Sequence, residues 1–163
     1  PQEVVENIVD FISFFDDIKI LEPSGGRGAF MKAISKRIKE EGILRAELYY
    51  CEIDEYNVML IEADEDLKDW KRIGSDFLKL SDNIKFDLIV ANPPFKDDKK
   101  HLVKMASLLN KRGSGCVSDI YCILPSKWKV QDSEYGWKDP YPALFQPFEE
   151  DFTFYYTSET LGK

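Results

Sequence analysis

A tetrapeptide with few hydrogen-bond donors, Asn92-Pro93-Pro94-Phe95, follows an apolar run at residues 88–91. The side chain of Asn92 and the backbone of Pro93 each offer a carbonyl oxygen, and neither proline has a backbone N–H. A proline also holds the residue before it in an extended conformation, which fixes the direction of both carbonyls. Two such acceptors could hold the hydrogens of a planar amino nitrogen, such as that of adenine, and free its lone pair to attack a methyl group. A rigid turn after a strand is the alternative interpretation.

Other residues near this tetrapeptide would suit contact with a nucleic acid. Phe95 offers a flat face on which a base could stack. A rim of basic and aromatic side chains could position phosphates, or could be ordinary surface; it comprises Lys96, Lys127, Trp128 and Lys129. Because a duplex buries the adenine amine, a DNA substrate would present a flipped base or a single strand. The lone His101 is interpreted as a helix-face residue, and no metal site is predicted.

A second candidate site is the turn "EPSGGRG" at residues 22–28, which follows a short apolar run and opens a helix. Glycines in such a turn let a ligand approach the backbone closely. The turn lacks the G-x-G-x-x-G pattern of dinucleotide sites, and Glu22 would sit badly beside a pyrophosphate. A carboxylate there suits a cofactor that carries an ammonium group and a sulfonium. The turn therefore favours S-adenosyl-L-methionine over a dinucleotide, with a tight strand–helix joint as the alternative.

Two acidic residues, Glu52 and Asp54, follow the apolar segment "LYYC" at residues 48–51. A carboxylate at the tip of the second strand of a doubly wound sheet accepts hydrogen bonds from a ribose diol. A solvated acid at a strand end is the alternative. Together with the glycine turn, Glu52 favours nucleoside binding.

The pattern of elements predicts how these residues are brought together. Strand-like runs lie at residues 18–21, 46–53, 70–73, 86–91, 116–124 and 152–157, and helical patterns at 3–15, 29–41, 55–64 and 98–111. Strands alternating with helices predict an α/β fold: a doubly wound, mostly parallel sheet of about six to seven strands with helices on both faces. Residues 131–149 are predicted to form a functional loop or lid, with aromatic rings that simply cap the core as the alternative. All 163 residues are assigned to a single domain.

Composition narrows the class of protein. The formal net charge of −8 argues against binding nucleic acid by electrostatics alone, although a locally basic face would be compatible with it. No apolar run is long enough for a membrane span, and no signal peptide is recognisable. The three cysteines, Cys51, Cys116 and Cys122, lack metal-ligand spacing and are predicted to be buried, reduced thiols. A cytoplasmic setting is the expectation.

These motifs resemble the class I S-adenosylmethionine-dependent methyltransferases, and within them the N6-adenine DNA methyltransferases that place the cofactor motifs before the catalytic motif, the γ-type order. The matching segments are "ILEPSGGRGAF" at residues 20–30, Glu52-Ile53-Asp54, Asp76-Phe77-Leu78, Asn92–Phe95 and the N-terminal "PQEVV". The resemblance covers nearly the whole chain and implies a Rossmann-like methyltransferase fold.

The resemblance also implies roles for individual residues. The methionine part of the cofactor would be held by Glu22 and the glycine turn, which includes Pro23, Ser24, Gly25, Gly28 and the following Phe30. Glu52 and Ile53 would lie at the ribose, Asp76 would bond the cofactor's adenine amino group, and Phe77 would lie beside that ring. Asn92 to Phe95 would hold the substrate amine, and Asn92 would also contact the cofactor. Pro1 would lie by the cofactor carboxylate, although the threonine that usually accompanies this segment is absent.

Two departures from the family pattern leave alternatives open. The family usually closes its sheet with a hairpin of two final strands, whereas only residues 152–157 read as a strand here. No stretch is long enough for a separate target-recognition region. Either another chain reads the DNA sequence, as a specificity subunit would, or the domain is truncated at its C-terminus, or specificity is loose. The same chemistry on RNA adenine or a protein glutamine, and a non-catalytic partner role, are the alternative functions.

Overall fold

The structure, a computed structural model, describes residues 2–94, 96–110 and 118–123 and the backbone of residues 132–133, 136–137 and 153–157. Its strands are β1 (Lys19–Glu22), β2 (Glu47–Cys51), β3 (Trp70–Gly74), β4 (Leu88–Ala91), β5 (Asp119–Ile123), β6 (Asp132–Ser133), β7 (Gly136–Trp137) and β8 (Thr153–Thr157). The strands β6 and β7 form a short antiparallel pair within the segment predicted as a loop or lid. The rest of that segment lies outside the described residues.

Six strands form one sheet in the order β3-β2-β1-β4-β5-β8, and every pairing in it is parallel. The direction of winding reverses between β1 and β4, which is the arrangement of a doubly wound sheet. The predicted fold class and strand number are therefore confirmed. The final strand β8 pairs with β5 in parallel, so it extends the sheet without changing its direction.

The helices cover both faces of this sheet. They are α1 (Gln2–Asp10), α2 (Ala29–Glu41), α3 (Glu55–Glu62) and α4 (Asp98–Leu108), with single 3₁₀ turns at Glu65–Leu67 and Phe77–Lys79. Successive strand residues point to opposite faces. Leu88 and Val90 of β4 accordingly pack in the cluster formed with α1 and α2, while Ile89 packs with α4. Burial on both faces explains why the strands read as continuous apolar runs.

The first helix is shorter than its apolar pattern predicts. The pattern runs to Phe15, but α1 ends at Asp10. The chain then turns through bonds from Phe11 N to Ile8 O and from Ile12 N to Val9 O, both 3.1 Å. Ile12 stays buried in this turn, whereas Phe11 is 79% exposed. The prediction of a helix to residue 15 is wrong because Phe11, Ile12 and Phe15 continue the helical spacing in sequence, although only Ile12 of the three is buried.

Two of the cysteines behave as predicted. Cys51 and Cys122 are free thiols buried in the sheet. Burial raises the pKa of Cys51 to about 12 and also raises the pKa of Cys122, so both stay protonated at neutral pH. Cys116 lies outside the described residues. In the part of the chain that the structure covers, no helix combines the length and apolarity needed to cross a bilayer.

Candidate active site

The glycine turn and the Asn-Pro-Pro segment leave neighbouring strands, β1 and β4, at the point where the strand order reverses. Ligands of doubly wound sheets bind in the crevice outside this point. A cavity of about 360 Å³ lies there, and its wall includes Glu22, Ser24, Gly25, Phe30 and Asn92. The structure thus places Asn92 and several residues of the glycine turn around one space.

The glycine turn is held tightly against the end of β2. Gly25 N donates to Cys51 O at 2.9 Å, and Gly28 N donates to Gly25 O at 2.8 Å. A side chain at Gly25 would begin 3.2 Å from both Tyr50 and Ile61, which is closer than ordinary contact. A larger residue at this position would push against Tyr50 and Ile61, so glycine lets the turn lie this close to β2 without displacing them.

Gly28 and Gly42 bound α2 and form a matched pair for a stability test. Both have positive φ, 76° and 70°, but a Cβ on Gly28 would lie 2.6 Å from Leu67 Cδ1 whereas one on Gly42 meets nothing within 4 Å. We expect Gly42→Ala to destabilise the chain by about 1 kcal/mol through backbone strain alone. Gly28→Ala should cost roughly 1–2 kcal/mol more, because Leu67 must also move. Urea unfolding would measure both variants; equal losses would contradict this packing.

Glu22 is a buried carboxylate at the bottom of the cavity. It is 2% exposed, and its Oε1 accepts a hydrogen bond from Ser24 N at 3.1 Å. Burial raises the pKa of Glu22 well above its usual range; the bond from Ser24 lowers this pKa, and the nearby Glu52 raises it again. No ion-pair partner for Glu22 is present among the described side chains. Such a site favours a cationic ligand, because a cation would compensate the buried charge.

Glu52 connects the loop after β2 with the glycine turn. Its Oε2 accepts from Gly26 N at 2.6 Å, and its Oε1 accepts from Asp54 N at 2.7 Å. The carboxylate is 7% exposed. Each oxygen keeps a second lone pair, so a hydroxyl donor could still bond to it. The expected contact with a ribose therefore stays a prediction, and the structure adds a second role in fixing the turn.

The residues after β2 and β3 to which the resemblance assigns cofactor contacts lie outside the cavity wall, and among them Glu52 is joined to the wall through its bond from Gly26. Ile53 is 71% exposed beside Glu52. Asp76 is partly exposed, and its Oδ1 accepts from Leu78 N at 3.1 Å to cap the 3₁₀ turn. Phe77 is only 3% exposed, and its ring stacks on His101 with centroids 5.5 Å apart. His101 lies on α4 as expected, and its Nδ1 lies 3.0 Å from Asp97 O.

At the end of β4, Asn92 is exposed and lines the cavity, Pro93 is buried, and Pro94 is exposed. This corner is open on the side of the glycine turn rather than sealed in the core. Lys96 is exposed close by. The remaining predicted contacts lie outside the described residues: Pro1, Phe95, Lys127, Trp128 and Lys129.

The cavity wall also contains residues to which the sequence analysis assigned no individual role. Gln2 and Val5 come from α1, and Ile123 comes from the end of β5. The position of Ile123 follows from the strand order, because β5 lies next to β4. No pattern in the sequence indicates which face of α1 meets the glycine turn.

A larger groove, of about 520 Å³, lies between α1, α2 and the 3₁₀ turn at Glu65–Leu67. Its wall consists of helical residues of mixed charge, such as Glu6, Asp10, Lys32 and Lys36. None of its residues comes from the carboxyl end of a strand. We therefore assign the chemistry to the smaller cavity, where strand ends and the glycine turn meet.

Comparison with known proteins places this site in context. A family model described as N-6 DNA methylase matches residues 1–113. None of the curated proteins matches the chain. The chain is similar to a solved structure from Vibrio vulnificus named as a modification subunit of a type I restriction enzyme. The TM-score is 0.65 with 17% identity, covering 81% of this chain and 35% of that one.

Two further solved structures share the fold. A precorrin-6y C5,15-methyltransferase from Geobacter metallireducens has a TM-score of 0.56 and 10% identity, covering 68% of this chain and 58% of its own. A protein from Pyrococcus horikoshii named as an RNA methyltransferase has a TM-score of 0.52 and 16% identity, covering 77% and 57%. The chain thus spans between about a third and three fifths of these three solved relatives.

Proposed function

Because the chain belongs to the N-6 DNA methylase family, we propose that it transfers the methyl group of S-adenosyl-L-methionine to the exocyclic N6 amine of adenine in DNA. One observation carries the proposal. Asn92, which begins the Asn-Pro-Pro-Phe segment, lines the same cavity as the glycine turn and the buried Glu22. A methyl donor held by the turn and an amine held by the segment would then share one space, as direct transfer requires.

The residues around the cavity fit this cofactor. S-adenosylmethionine supplies a methyl group on a sulfonium, which is open to attack by a nitrogen lone pair. Glu22 would hold the ammonium group, which would compensate its buried charge. Gly25 and Gly26 would admit the methionine part close to the backbone. Glu52, at the end of β2, would accept the ribose hydroxyls.

The chain's own contribution to transfer would be to position the amine. The side-chain oxygen of Asn92 and the backbone oxygen of Pro93 would each accept one hydrogen from N6. Neither Pro93 nor Pro94 can offer a competing backbone N–H. With both hydrogens held, the nitrogen moves toward tetrahedral geometry and its lone pair points into the cavity. The proton leaves after the methyl group arrives, so no strong general base is required.

DNA must present its adenine outside the helix stack to reach this site, either flipped from a duplex or in a single strand. Phe95 would stack on the base, and Lys96, Lys127, Trp128 and Lys129 would contact the backbone nearby. We further propose that sequence recognition comes from outside this domain, for example from a separate specificity subunit. The similarity to a protein named as the modification subunit of a restriction enzyme supports that arrangement.

The proposal is tested by offering the 163-residue chain S-adenosylmethionine with a labelled methyl group together with duplex DNA, single-stranded DNA, RNA or cell lysate. We expect label in DNA, recovered as N6-methyladenine after digestion and mass spectrometry. Label confined to RNA or protein would contradict the substrate. Cofactor binding without transfer to any of the four would contradict catalysis by this chain and favour the partner role.

A further inference from the structure

Arg72, on β3, contacts the loops that follow two different strands. Its Nη2 donates to the backbone oxygen of Glu52 at 2.9 Å, in the loop after β2. The same nitrogen lies 3.2 Å from Ser75 Oγ, in the loop after β3. The guanidinium also donates two hydrogen bonds to the carboxylate of Glu55, from Nη1 to Oε2 at 3.2 Å and from Nη2 to Oε1 at 2.7 Å. A single side chain therefore connects both loops.

The strand pairing is irregular directly after Arg72. Tyr50 pairs with Arg72, but the next residue, Cys51, pairs with Gly74, so β3 carries one extra residue at Ile73. Such bulges bend a strand locally and redirect its side chains, and they are common next to active sites. Here the irregularity lies at the carboxyl ends of both strands, directly before the loops that Arg72 joins.

Stability alone does not explain this arrangement. The side chain of Glu55 is 71% exposed, and ion pairs with exposed partners contribute little to folding. The Nε of Arg72 is buried and has no hydrogen-bond partner among the described residues, which is unfavourable. The contacts of Arg72 with Glu52 O and Ser75 Oγ instead fix the distance between the loop after β2 and the loop after β3.

The two loops carry the residues proposed to hold the adenosine part of the cofactor. In the first loop, the carboxylate of Glu52 accepts a hydrogen bond from Gly26 N of the glycine turn. Asp76 follows Ser75 directly in the second loop. We infer that Arg72 is a positioning residue: its planar fork holds the loops after β2 and β3 at the spacing at which Glu52 and Asp76 meet one adenosine. This inference rests on the proposed function.

The test replaces Arg72 with methionine, which is similar in length but has no donors. Calorimetry with S-adenosylhomocysteine should give a dissociation constant about tenfold higher than for wild type. In methyl transfer, KM for S-adenosylmethionine should rise by about the same factor while kcat at saturation stays within about twofold. Without ligand, amide hydrogen exchange in residues 52–56 and 75–78 should be faster in the variant, whereas exchange in α2 should be unchanged.

Two further variants separate geometry from charge. Arg72→Lys keeps the positive charge but not the planar fork, so its affinity should fall as well, and it carries the test if Arg72→Met does not fold. Glu55→Gln removes the ion pair and keeps the loop contacts, so its affinity should stay within about twofold of wild type. Unchanged affinity in folded Arg72→Met would overturn this inference alone. A wild-type chain that does not bind S-adenosylhomocysteine would overturn the proposed function with it.

Discussion

Asn92→Ala is expected to reduce methyl transfer by at least about 100-fold while the affinity for S-adenosylmethionine stays within a few-fold. Alanine removes one of the two acceptors on the amine, and losing one positioned polar group in a transition state costs about this much. The cofactor would keep its contacts with Glu22 and the glycine turn, which lie on a different strand end. Single-turnover transfer to an adenine-containing single strand, together with calorimetry, would measure the two effects separately.

Asn92→Asp is the matched control for this prediction. Aspartate has the same shape as asparagine and still presents an acceptor oxygen toward the amine. It should therefore retain measurable transfer, well above that of Asn92→Ala. Asn92 is exposed at the end of β4, so neither variant should lose much stability. Wild-type rates in Asn92→Ala would show that the amine is held elsewhere.

The sequence predicts the bounds of a helix correctly where a nearby residue marks its end. The helix at residues 29–41 is predicted with its observed bounds, because Gly42 adopts positive φ and ends it. The first helix is predicted too long because no such signal follows Asp10. There the tertiary environment decides: Ile12 is buried while its neighbour Phe11 faces solvent. Local spacing contains no information about that choice.

For the site, the sequence predicts which strand ends carry chemistry but not how their side chains bond. The positions of Glu22 and Asn92 around one cavity follow from the reversal of strand order. The bonds that Gly26 N donates to Glu52 and that Arg72 donates to Ser75 connect different loops, and no spacing rule indicates them. The stacking of Phe77 on His101 of α4 is a further contact that no spacing rule indicates, and its predicted place beside the cofactor ring stays a prediction.

These bonds link the loops in series. Glu52 joins the glycine turn to the loop after β2, and Arg72 joins that loop to the loop after β3. Phe77 then joins the loop after β3 to α4, the helix that follows the Asn-Pro-Pro-Phe segment. Side chains that restrain one another in this way reduce the ordering that a ligand must impose when it binds. The glycine turn, the loops after β2 and β3, and α4 are therefore connected to one another rather than independent.

Glu22→Gln is expected to weaken binding of S-adenosylhomocysteine, which keeps the ammonium group, by roughly 30-fold or more. Burial raises the pKa of Glu22 in the free protein, with Glu52 as the charged neighbour that adds to the effect and the bond from Ser24 opposing it. An ammonium ligand needs the carboxylate form, so binding to wild type should strengthen as pH rises through this raised pKa. Calorimetry between about pH 5 and 8, where the ammonium stays charged, would show the trend. The glutamine variant should show no such dependence.

As pH rises, the affinity of wild type for the ligand should increase, whereas the contribution of Glu22 to the free energy of unfolding of the ligand-free chain should decrease. A carboxyl group whose folded-state pKa is raised contributes stability below its ordinary pKa, and that contribution is lost as pH rises through the folded value. Above the ordinary pKa of glutamate, urea unfolding should therefore show that wild type is less stable than Glu22→Gln. The difference in the free energy of unfolding should grow with pH. The exposed Glu40 on α2 gives the control, since Glu40→Gln should change neither property. A Glu22→Gln variant that binds like wild type at every pH would show that the ammonium group lies elsewhere.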